Sequence, residues 1–144
     1  MCYCSTQYSQ STTTNGGINF DTATPVLAKG FVIWSGQSGA ACDPAAYAIY
    51  GGSTSVPFTS NSFTLISFGT IYPFLSRQSA QTVVFPSNSI QYQRYLVRFN
   101  VTAGSTCSYM EISEFQLLTP SDPYITYAAA YPTITSLSYG GSPA

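Results

Sequence analysis

The chain has 144 residues, enough for one domain with a real core, yet only nine are charged and none is histidine. Four basic against five acidic residues give a net charge of −1, which excludes the clustered Lys and Arg footprint of a nucleic-acid binder. Without histidine there is no Ser-His-Asp or Cys-His catalysis, and no apolar run approaches the roughly 20 residues that span a bilayer.

Twelve Tyr, nine Phe and many Ser and Thr point to β structure, because aromatic and β-branched side chains suit pleated surfaces. A surface of uncharged polar residues suits an extracellular, glycan-contacting or self-packing protein. Residues 1–16 are polar and aperiodic, and are read as an N-terminal arm. They have neither the basic nor the apolar region of a signal peptide. Two origins follow: a secreted chain whose signal was removed, or a protein that reaches its destination without one.

The sandwich is predicted over residues 17–118. Ile18 and Phe20 alternate with Asn19 and Asp21 in a short strand that breaks at Pro25. Lys29–Ser35 forms a firmer one, with Phe31 and Ile33 on one face. The loop GQSGAACDP leads into AAYAIYGGS, where Tyr47 and Ile49 share a face and Gly51–Gly52 ends the strand. After the turn region TSVPFTSNS come a strand at Phe63–Phe68, a loop carrying Tyr72, Phe74 and Arg77, and a brief strand at Thr82–Phe85. Tyr92–Leu118 is predicted as a strand pair joined by the polar turn AGSTCS. In its first strand Tyr95, Val97, Phe99 and Val101 alternate with polar residues, and in its second the alternation slips at Ser113–Glu114, the mark of a bulge. About eight strands at roughly 8–12-residue spacing predict an all-β jelly-roll sandwich. Residues 119–144, with four prolines, are read as a linker, a tail on their own domain, or an extended arm laid on a neighbouring subunit.

The cysteines are Cys2, Cys4, Cys42 and Cys107, and an even count in a polar β protein favours disulfides over zinc. Cys42–Cys107 is the expected pair, since both lie in loops flanking strands. Cys2 and Cys4 are too close for easy mutual pairing and are assigned to an intermolecular bridge.

The order of KGFVIWSGQSGAACDPAAYAIYGGS, SFTLIS, QTVVF and QYQRYLVRFNVTAGSTCSYMEISEFQLL resembles the discoidin-like (coagulation-factor C-type), galactose-binding-like domains over about residues 18–118. The resemblance implies a jelly roll without catalytic activity that binds glycans, phospholipid headgroups or proteins through loops at one end. It also implies a structural Ca²⁺, with Glu114 matching the family's late acidic ligand. The early Asp–Gly and Trp of the family are replaced by the polar leader.

Read as chemistry, Trp34, Tyr72, Phe74 and Tyr109 make a candidate aromatic platform for a sugar or a partner, with Arg77 beside it to donate to a hydroxyl or carboxylate. The plainer reading has Trp34 capping the core and Phe74 plugging the end of the sandwich. Glu111 is read as a solvated strand residue on the face opposite Glu114, and Glu114 as a partner of Arg94 or Arg98 when it is not a Ca²⁺ ligand. Asn100-Val101-Thr102 is the only N-glycosylation sequon.

The expected function is a non-catalytic surface module, for adhesion or for building an extracellular assembly, that contacts glycan or protein and self-associates through its arms. The alternatives are a virion structural protein and a glycan-binding accessory module of a larger secreted enzyme. Extracellular space or a particle surface is the expected location.

Overall fold

The computed structural model describes residues 9–11, 16–123 and 125, with the backbone alone at 9–11, 100 and 101. Eight strands are present among them: β1 Ser9–Ser11, β2 Gly16–Val26, β3 Gly30–Ser35, β4 Pro44–Gly52, β5 Thr64–Thr70, β6 Ala80–Val84, β7 Tyr92–Thr102 and β8 Met110–Leu118. A short 3₁₀ turn covers Ala40–Cys42. The strands form two antiparallel four-stranded sheets, β1-β8-β3-β6 and β2-β7-β4-β5. That order is the jelly roll predicted from the strand spacing.

Period-2 patterning places the core. Phe31 and Ile33 of β3 and Phe115 and Leu117 of β8 face Tyr47 and Ile49 of β4 and Tyr95, Val97 and Phe99 of β7, all nearly or wholly buried. Each such side chain contributes about 1.5–3 kcal/mol by leaving water. Aromatic rings bridge the layers. Phe20 lies 5.5 Å from Tyr95 and 5.7 Å from Phe115, while Phe31 meets Tyr47 edge-on at 5.1 Å.

The elements differ from the sequence reading in four places. Tyr92–Leu118 is not a hairpin, because β7 and β8 belong to opposite sheets and the segment between them crosses from one layer to the other. Both strands still turn their apolar side to the same core, which is why alternation alone did not tell pairing from facing. Second, β2 continues through Pro25 to Val26, with a register shift after Asp21 that accommodates the proline. Third, Ser9–Ser11, within the predicted polar arm, pairs antiparallel with Met110–Ile112 as an edge strand. Fourth, past the predicted sandwich boundary, Ile125 is buried with Val32 and Leu118, packed against Trp34 on the outer side of sheet β1-β8-β3-β6. The predicted bulge is present: Trp34 pairs with Glu114 and Ser35 with Ile112, which leaves Ser113 extra, its Oγ donating to the Ser35 carbonyl at 2.9 Å.

Tyr95 gives this core a titratable lever. Its side chain is fully buried and its hydroxyl donates to the Val26 carbonyl. Desolvation pushes its pKa up to about 12, from an ordinary 10.0. Below the unfolded pKa both states carry the proton, so this group adds no pH dependence there. Between about pH 10 and pH 12 the unfolded chain releases a proton that the folded chain keeps, and stability falls by about 3 kcal/mol in all. Denaturant titrations at stepped pH should show this loss in the native sequence and a shallower one in Tyr95→Phe.

Candidate functional site

Two regions bring chemistry-bearing side chains together. The first is the end of the sandwich where the β3–β4, β5–β6 and β7–β8 loops meet. Cys42 and Cys107 form the predicted disulfide there, closing 65 residues of chain, a constraint worth about 4 kcal/mol on loop-closure grounds. The Ala103 N–H donates to the Asp43 carbonyl at 2.8 Å and the Gly104 N–H to that of Ala41 at 3.0 Å.

Arg77 sits in this cluster and is spent on it. Its fork grips the Asp43 carboxylate, Nη1 to Oδ1 at 2.7 Å and Nη2 to Oδ2 at 2.6 Å, and Nη1 also reaches the Ser38 carbonyl at 3.1 Å. The hydrogen bonds to Asp43 hold the Arg77 pKa above its ordinary value against partial desolvation, and the charges of Asp43 and Glu111 add to the effect. The Tyr109 hydroxyl donates to Ser38 Oγ at 3.1 Å, so Arg77 and Tyr109 converge on the same serine.

The other predicted platform residues are dispersed. Phe74 is buried in the interlayer core, the plug that the plainer reading anticipated. Trp34 lies on the outer face of its sheet against Val32, Leu118 and Ile125, beside Glu114 in the register. Tyr72 projects from the β5–β6 loop, 77 % exposed.

Glu114 cannot pair with Arg94 or Arg98, because β8 and β7 lie in different layers and those arginines face away from the core on the far sheet. Among the described residues no group of three or more His, Cys, Asp or Glu side chains gathers, so Glu114 stands without the companion carboxylates that Ca²⁺ ligation favours. Glu111 is not solvated. It is 1 % exposed, lies against Gly36, and accepts the Gln37 N–H on Oε1 at 2.9 Å. With Ile112 and Phe115 turned to the core and Ser113 bulged, Glu111 and Glu114 share the outer side of β8 rather than opposite faces. The sequon's Asn100 has its backbone in β7, and its side chain, like Cys2 and Cys4, lies outside the described residues.

The second region was not singled out from the sequence. On the outer face of sheet β2-β7-β4-β5 the register stacks three rows: Gly17–Arg98–Ala48–Phe68, Asn19–Leu96–Tyr50–Leu65 and Asp21–Arg94–Gly52. The β4–β5 loop, residues 53–63, folds over the third row. Arg94 fastens it there, with Nε and Nη2 on the Asp21 carboxylate at 2.6 Å each and Nη1 on the Val56 carbonyl at 2.8 Å. Its guanidinium also lies 4.2 Å above the Phe58 ring. Hydrogen bonds from Arg94 lower the Asp21 pKa, partly offset by desolvation, and the Arg94 charge lowers it further.

Phe58 and Phe63 stack at 6.2 Å within the loop, and Phe63 lies over Gly52, where a Cβ would come within 3.0 Å of the ring. The result is a cleft of about 510 Å³ lined by Asn19, Tyr50, Phe58, Phe63, Leu96 and Arg98, with Thr59, Ser60 and Asn61 on its rim. Its polar and aromatic groups sit on three paired strands and a pinned loop, so their positions are held by backbone pairing and by Arg94. Alternation puts Arg98 on the polar side of its strand, but the descent of loop 53–63 onto this face had no local signal.

Because the Arg77 fork occupies a carboxylate that is only 6 % exposed, its loss strands that charge. Arg77→Ala should cost about 2 kcal/mol in chemical denaturation, less than a fully buried pair because the guanidinium is itself 30 % exposed. Arg77→Lys should restore only part of it, since an ammonium lacks the fork.

No family model and no curated protein matches the sequence. Among solved structures the chain is similar to CBM32-1 from a family 31 glycoside hydrolase of Clostridium perfringens, with a TM-score of 0.53 at 15 % identity, covering 78 % of this chain and 75 % of that one. The chain has the galactose-binding-like, discoidin-like β-sandwich fold.

Proposed function

We propose that the chain is a non-catalytic carbohydrate-binding module that takes its ligand in the cleft on the outer face of sheet β2-β7-β4-β5. The observation that carries this reading is the composition of the cleft: rings of Tyr50, Phe58 and Phe63 beside the Asn19 amide and the Arg98 guanidinium, on a rigid floor. Saccharides present apolar C–H faces bordered by hydroxyls, and a few fixed polar groups among aromatic rings meet both. The lack of histidine supports a binding role over a catalytic one.

The reading moves the site away from the loop end expected by resemblance, where Arg77 and Tyr109 are engaged by Asp43 and Ser38. The Cys42–Cys107 disulfide and the sparse charge fit an oxidising, extracellular setting, and attachment to a larger secreted enzyme is one such setting. Among the described residues no helix is long and apolar enough to cross a membrane. A second reading, contact with a protein surface or a further subunit, is favoured by Tyr72 and Leu75, which stand 77 % and 97 % exposed on the β5–β6 loop.

Glycan-array screening followed by calorimetry tests the first reading. Tyr50→Ala should weaken binding about tenfold or more by removing ring contact, while Leu75→Ser on the remote loop should leave it unchanged. Binding that survives Tyr50→Ala and Phe63→Ala together but fails in Leu75→Ser would place the ligand on the loop end instead.

A further inference from the structure

The chain has three arginines, and the structure treats them differently. Arg77 and Arg94 each grip a carboxylate through two nitrogens. Arg98 is in neither of the ion pairs seen among the described residues, and its hydrogen-bond partner is the neutral Asn19 amide oxygen, 3.1 Å from Nη1. No acidic side chain lines the cleft into which it opens, and Asp21, two rows from Arg98, is already held by Arg94.

Backbone geometry keeps Arg98 low against the sheet. Its cross-strand neighbour is Gly17, where a Cβ would stand 2.7 Å from Nη1 and 3.3 Å from Cδ. A Cβ at this position would also run into the Val97 carbonyl, so the glycine is what leaves room for Arg98 to lie close to β2. The Asn19 amide oxygen orients the guanidinium but brings no negative charge to it. The free N–H groups of Arg98 form a planar fork matched to an anion with two oxygens. The ring surfaces of Tyr50 and Phe63 line the same cleft.

Resting on the carbohydrate-binding reading above, we infer that the cleft selects an anionic saccharide, whose carboxylate or sulfate seats on Arg98 while a sugar ring lies on the aromatic wall. A neutral sugar would leave that charge without a partner of opposite sign. Desolvating it without compensation costs affinity, so the preference has both an attractive and a repulsive side.

The experiment is calorimetric titration of the chain with three oligosaccharides of one backbone: neutral, uronate-bearing and sulfated. At least one anionic ligand should bind about tenfold tighter than the neutral one, and the preference should shrink as salt rises. The tighter of the two anionic ligands names the group. In Arg98→Gln the ratio of anionic to neutral affinity should collapse toward one. Arg98→Lys should retain a reduced preference, and thermal melts of both variants should establish that they are folded. Equal binding of all three sugars by the native chain, or an anionic preference that persists in Arg98→Gln, would overturn the inference while leaving the binding module intact. Failure to bind any of the three, or any glycan on the array, would overturn both.

Discussion

Every second side chain of β7 is committed to the space between the sheets, and that commitment decides what is left for the outside. Tyr95, Val97 and Phe99 are 0 %, 0 % and 2 % exposed, in contact with aromatic and aliphatic groups from both layers. A slip of one residue would drive Arg94 and Arg98 into the core and turn three large apolar side chains to water, at a cost far beyond the few kcal/mol by which domains are stable. The register of β7 is therefore fixed by burial. With it is fixed the row of outward groups, Arg94, Leu96 and Arg98, of which Leu96 and Arg98 floor the cleft and Arg94 pins the loop beside it.

From that row the loop is placed by charge and aromatic contact rather than by further burial. Arg94 satisfies Asp21 below, a loop carbonyl above and the Phe58 face beside it. Turn bonds inside the loop, from the Val56 N–H to Ser53 and from the Ser60 N–H to Pro57, limit the conformations it must lose. The consecutive Gly51 and Gly52 at the end of β4 admit a ring on each face of the sheet, Tyr92 toward the core and Phe63 toward the cleft. Their position at a strand end, which reads from the sequence as simple termination, thus also supplies close approach.

How much was legible in the sequence follows from how local each determinant is. Alternation is local, so seven of the eight strands, the inward faces of β2, β3, β4, β7 and β8, and the bulge at Ser113 could be read from residue order. Ser9–Ser11 was not, because its sequence is polar throughout and its strand state comes from pairing with β8. Whether β7 and β8 pair or face each other depends on layer assignment, a non-local property on which the turn residues are silent. The buried state of Glu111 depends likewise on the Gly36–Gln37 backbone, 74 residues away in the chain. The aromatic platform failed for a related reason. Ring content can be counted in a sequence, but a ring on the loop end such as Phe74 and one on a strand's outer face such as Trp34 are separated by the sandwich itself.

The contrast between Asp21 and Asn19 carries the argument one step further. They stand two residues apart on β2, on the same face: Asp21 pairs directly with Arg94, whereas Asn19 pairs with Leu96 and reaches Arg98 from the neighbouring row. Asp21 cancels the charge of Arg94 and turns that side chain into a structural clamp. Asn19 offers Arg98 a similar oxygen at hydrogen-bond distance, and so fixes its direction, but brings no charge. One oxygen exchanged for one amide nitrogen thus separates a guanidinium with a carboxylate partner from a guanidinium with only a neutral one. Few charges exist in the chain, and Arg98 is the charged side chain among the residues that line the cleft, so the pairing choices of two residues on β2 decide where a positive charge stands uncompensated on this face.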